Sequence, residues 1–144
     1  MVTTDSARHF ETVCRTLADG SGQGGWQWDD RLGAALVVFG EAQAAKMLTL
    51  LRQVFPEHWD ANTIKSAGNN VSDIVRNLGG LKKNQIIFAT DPNQKTFLYG
   101  AWWPWGDGKQ ISLRVFFACA NAHDPEKTQI ANAFRQWFGL APKT

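Results

Sequence analysis

The chain has 144 residues, 44% hydrophobic and 12% aromatic, with seven tryptophans and a formal net charge of +2. That length suits one compact domain over residues 1–144, with a core large enough to hold together without staples. A charge this small sets the chain apart from RNA-recognition domains, which are more basic.

The polar start, broken by Asp5, Arg8, His9, Glu11 and Arg15, does not resemble a signal peptide. The longest apolar run, Leu32 to Phe39, is too short to span a bilayer. Cys14 and Cys119 have no partner at metal-ligand or redox spacing and read as buried thiols in a reducing compartment. A soluble, cytoplasmic protein without membrane contact is the expectation.

Phe10, Val13, Cys14 and Leu17 recur at helical spacing after Asp5, a capping residue type, and before Gly20, which predicts an amphipathic helix over 5–18. Gly20-Ser21-Gly22-Gln23-Gly24-Gly25 matches the dinucleotide-binding pattern literally. The match lacks a preceding strand and a following helix N-terminus to aim amides at a pyrophosphate, so a connector is the better reading. Asp29 and Asp30 are adjacent, and a cap or turn explains them more simply than a paired-carboxylate site.

Residues 32–39 are a short apolar run read as a strand, although a buried helix segment has the same appearance. Ala44, Leu48, Leu51 and Phe55 mark a helix over 41–55 that Pro56 closes. Residues 57–60 read as a loop, with a short helical turn starting at Asp60. Val71, Ile74, Val75 and Leu78 share one face of a helix over 70–78, ended by Gly79-Gly80. Leu81-Lys82-Lys83-Asn84 is then a basic exposed connection.

An antiparallel meander of three strands is expected over about 85–120. Its first strand, residues 85–90, stops at the turn Asp91-Pro92-Asn93-Gln94, where proline sets φ and the aspartate accepts a backbone hydrogen bond. The second runs from Lys95 to Trp103. The third starts at Gln110 with Ile111, Leu113, Val115 and Phe117 on one side and Ser112, Arg114 and Phe116 on the other. Between them Pro104-Trp105-Gly106-Asp107-Gly108-Lys109 suits an irregular hairpin tip. Asp124, Pro125 and Gly139 frame a last helix with Ile130, Phe134, Trp137 and Phe138 as its buried stripe. The fold class is therefore α+β: a meander, extended by a strand at 33–39, with helices packed on one face.

No histidine stands in a metal-binding or catalytic pattern: His9, His58 and His123 lack HxxxH, HExxH and CxxC surroundings. No metal or cofactor is expected. Cys119 and His123, four residues apart near a helix start, are the one pair that would suit a small enzyme or ligand-binding domain.

The aromatic turn carries more. Neighbouring strand residues point to opposite faces, so Trp102 and Trp103 cannot enter the same core layer without a bulge. One reading has these rings, with Trp105, cap the core against Trp26, Trp28 or Trp59; the other has them form, with Tyr99, a contact surface rimmed by Lys95, Lys109 and Arg114. Residues 61–114 hold seven Lys/Arg against three Asp/Glu, while residues 1–60 hold five against eight. That favours a partner acidic at the contact. The expected role is a non-catalytic protein-binding module of adaptor, inhibitor, chaperone-like or immunity type. The alternative is a single-stranded nucleic-acid binder, with bases stacked on Tyr99, Trp102 or Trp103 and phosphates on the lysines. Lys-Thr-Phe-Leu-Tyr-Gly lacks the glycine and aromatic spacing of an RNA-recognition strand.

Overall fold

The computed structural model describes residues 4–20, 25–93, 96–119 and 132–140, with side chains described from residue 8 to residue 118 within the outermost elements. Six strands form one open antiparallel sheet: β1 (Gln27–Asp29), β2 (Ala34–Gly40), β3 (Glu57–Asp60), β4 (Ile86–Ala89), β5 (Thr96–Pro104) and β6 (Gln110–Cys119), in the order β1-β2-β6-β5-β4-β3. The helices are α1 (Thr4–Gly20), α2 (Ala44–Val54), α3 (Asn69–Asn77) and α4 (132–137).

The meander forms as its alternation dictates. Tyr99 pairs with Phe116, Ala101 with Arg114 and Trp103 with Ser112 across β5 and β6. Asp91 Oδ1 accepts from the Asn93 amide at 3.0 Å, which bends the chain over residues 91–93 after β4. At the other hairpin the Trp105 amide bonds the Gln110 carbonyl at 2.8 Å. Of the two glycines there, Gly108 alone adopts positive φ, at 71°. Asp107 Oδ1 accepts from the Lys109 amide and stabilises that bend.

The apolar run at 34–40 is a strand, and it pairs with β6 from Ala35–Val115 to Gly40–Gln110. Two further strands lie where sequence pattern predicted none. β1 follows from the short turn after Asp29, whose carboxylate accepts from the Leu32 amide. β3 replaces the expected loop at 57–60: only Trp59 is buried there, while Glu57, His58 and Asp60 are exposed. Charged side chains on an edge strand discourage pairing with other chains, and they also hide the strand from an apolar-alternation reading. Asp60 then accepts from the Asn62 and Thr63 amides at 2.9 and 3.0 Å, which makes a turn at 61–63, and the short helical turn expected from Asp60 follows it at Ile64–Ser66.

Two cores follow from the alternation. On the first face α1, α2 and α4 cover Val37, Phe88, Leu98, Trp102, Leu113 and Val115, with Phe10, Leu17, Leu51, Phe55 and Phe134 interleaved. Helix α3 departs from packing on that single face: its Val71 and Val75 lie with Trp59, Ile87, Ala89, Ala101 and Phe116 on the second. These strand residues alternate with those of the first core, so they point the opposite way. The reason is local, since Ile87, Ala89 and Trp59 make the β3–β4 end of the second face apolar and it must be covered. Nearer β2 and β6 the second face is only partly covered, with Leu36, Val38, Trp103 and Arg114 half-buried.

The end of α4 shows the expected glycine stop, with Gly139 at φ 73° and the Leu140 amide bonded to the Arg135 carbonyl at 2.8 Å. The predicted start of that helix, Asp124 and Pro125, lies outside the described residues, as does Ile130. No helix among the described residues is long and apolar enough to cross a membrane.

Candidate functional site

The tryptophans of the aromatic turn go three ways, because pleat and turn geometry separate them. Trp102 is 4% exposed in the first core, its ring 5.5 Å from that of Phe39. It belongs to the interior and offers no contact surface. Trp103 points to the second face and packs, half-buried, at the margin of the second core. Trp105, just beyond β5, is 48% exposed. Its Nε1 donates to Ser112 Oγ at 2.8 Å, so the exposed ring is held against the sheet rather than free to swing.

Tyr99 lies on the same face as Trp103 and stacks on Phe116, ring centroids 4.6 Å apart and planes 7° from parallel. Burial pushes its hydroxyl pKa up to about 12, because the phenolate loses hydration there. Its ring is therefore mostly committed to the fold.

Arg114 is half-buried beside these rings. Its Nε donates to Asp29 Oδ2 at 2.9 Å, the two side chains being 22% and 11% exposed. The Arg114 hydrogen bond, above the opposing effect of burial, holds the Asp29 carboxyl below the usual carboxylate range. Asp29 thus acts in the turn, as its sequence context suggested, and also orients a cation from another strand. The adjacent Asp30 faces elsewhere, 3.6 Å from Arg135, whose guanidinium lies 4.1 Å above the Trp28 ring. The two carboxylates do not form a pair.

Trp103, Arg114 and Phe116 line a groove of about 280 Å³ whose other wall is Arg31 and Leu32 from the β1–β2 turn and Asn77 and Leu78 from the end of α3. Leu32 is 39% exposed. Sequence pattern pointed to Trp103 and Arg114 but missed Arg31, Leu32, Asn77 and Phe116, since nothing local marks residues that meet only when α3 crosses to the second face. Lys109 is exposed at the hairpin tip. Lys95 lies outside the described residues.

For chemistry, the described residues contain no group of three or more His, Cys, Asp or Glu side chains able to hold a metal. His9 and His58 are exposed, and His58 lies 5.9 Å from the Phe88 ring. Cys14 is enclosed in the first core, where burial drives its thiol pKa well up and suppresses the reactive thiolate. The Cys119 side chain and His123 lie outside the described residues. No family model matches the chain, and no curated protein or solved structure is significantly similar to it.

Proposed function

We propose that the chain is a compact, cytoplasmic, non-catalytic protein-binding domain of adaptor, inhibitor, chaperone-like or immunity type. It docks its partner on the partly covered second face of the sheet, between the hairpin tip and the β1–β2 turn. The observation that carries this reading is the state of Trp105: nearly half exposed, yet fixed to Ser112. A large aromatic ring already restrained by a hydrogen bond contributes contact area with a smaller loss of side-chain entropy on binding than a free one. Trp103 and Leu32 extend the apolar part of the surface, and Lys109, Arg31 and Arg114 supply a cationic rim suited to an acidic partner.

The test is affinity capture from the cells that make the protein, comparing the wild type with Trp105→Ala. A protein retained by the first and lost by the second is the expected result. Equal recovery of every protein by both would overturn the reading. Saturable binding of a single-stranded oligonucleotide at low salt, weakening steeply as salt rises, would assign the surface to nucleic acid instead.

A further inference from the structure

The groove beside Trp103 has a composition more specific than its size. Its lining combines the half-buried Trp103 and the edge of the buried Phe116 with two arginines, Arg31 and Arg114, and with Leu32 and Asn77, and no carboxylate lines it. Arg114 meets Asp29 through Nε. Its two terminal nitrogens have no acceptor among the described residues, and Arg31 has no ion-pair partner among them. One aspartate offsets two guanidinium groups, which leaves the groove cationic.

Asp29 also preorganises it. Oδ2 accepts from Arg114 Nε at 2.9 Å while Oδ1 accepts from the Leu32 amide at 3.2 Å. One carboxylate therefore positions the turn bearing Arg31 and Leu32 against the strand bearing Arg114. Sites held in place before binding lose less on ordering.

At about 280 Å³ the groove is just below the range of small-molecule and cofactor pockets, about 300–1,000 Å³. It is the size of one large side chain with its neighbouring polar group. It is also continuous with the surface around Trp105: Ser112, which holds that ring, lies two residues from Arg114 on the same side of β6, about 7 Å away.

We infer that the groove receives an acidic, aromatic peptide segment of the partner, one aromatic ring packing against Trp103 while an adjacent carboxylate engages Arg31 and the outer nitrogens of Arg114. Bidentate carboxylate recognition suits a guanidinium fork. The inference rests on the protein-binding reading and names the chemistry of its partner.

The probe is the peptide acetyl-Glu-Phe-Glu-Phe-Glu-amide, titrated into the 15N-labelled full chain while the Trp103 indole and Arg114 Nε resonances are followed. Saturable shifts of both are expected, with affinity falling about tenfold when Gln replaces Glu in the peptide or in an Arg31→Glu variant. Arg31 is exposed, so that variant keeps the fold. Unmoved resonances at saturation, or equal binding of the Gln peptide, overturn the inference. So does N-acetylphenylalanine binding as tightly as the peptide, which marks a small-molecule site. Capture that needs Trp105 but is indifferent to Arg31→Glu sinks this inference and leaves the protein-binding reading standing. Capture indifferent to Trp105 sinks that reading itself.

Discussion

Trp105 and Ser112 are joined across the mouth of the β5–β6 hairpin, the indole Nε1 donating to the serine hydroxyl at 2.8 Å. Ser112 pairs with Trp103 in the sheet and points to the same face, so the exposed ring is bonded to the cross-strand neighbour of the half-buried one. Replacing Ser112 with alanine leaves the indole N–H to water and releases the ring. Stability should fall by about 1 kcal/mol, the usual worth of a single hydrogen bond. The Trp105 indole resonance should sharpen and shift toward a solvent-exposed value, while partner affinity drops because a mobile ring must be ordered on binding. An unchanged indole shift in the variant would show that the bond does not hold the ring.

Trp102 and Trp105 should respond oppositely to truncation. Trp102→Ala removes a buried ring packed on Phe39 and should cost about 3–5 kcal/mol, seen as a large drop in the denaturation midpoint. Trp105→Ala should cost about 1–2 kcal/mol, from the bond lost and the Ser112 hydroxyl left unpaired, while abolishing partner capture. A pair of variants with similar stability would contradict the division between core ring and contact ring.

The Arg114–Asp29 pair should make itself felt in acid. Asp29→Asn leaves a half-buried guanidinium with a weaker acceptor and should cost about 1–3 kcal/mol near neutral pH. Because the folded carboxyl titrates below its unfolded value, the folded state binds fewer protons than the unfolded one across that interval. The pair's contribution is complete above about pH 3.9 and is lost as pH falls through the lower folded value. Urea midpoints of wild type and variant should therefore converge in acid. A gap independent of pH would assign the loss to packing instead.

Tyr99 offers a clean alkaline readout, since it is the single tyrosine of the chain. Its folded pKa of about 12 exceeds the ordinary value of about 10, so the neutral phenol is the form the fold favours. Its contribution to stability is complete below about pH 10 and is lost as pH rises toward 12, by on the order of 2 kcal/mol. Ultraviolet difference titration of tyrosinate should show ionisation delayed in the native protein and normal in denaturant. Coincident curves would mean that the ring stacked on Phe116 is open to water.

The sequence alone determined the elements whose signal is local. Period-two alternation from Gln110, the Asp91-Pro92 turn and the glycine-bearing hairpin specify the meander, and helical spacing of Phe10, Val13, Cys14 and Leu17 specifies α1. Alternation also required Trp102 and Trp103 to face opposite ways, as they do. It did not say which face would be closed over. That depended on where α1, α2 and α4 settled, on α3 crossing to the other side, and on edge strands β1 and β3 pairing through backbone groups that side-chain pattern does not encode. The groove likewise exists only in the assembled fold: Asp29 and Arg114 are 85 residues apart, and nothing near either in the chain announces the other. Local periodicity fixes which way a side chain points; only long-range packing decides whether it meets a helix, a partner charge or open water.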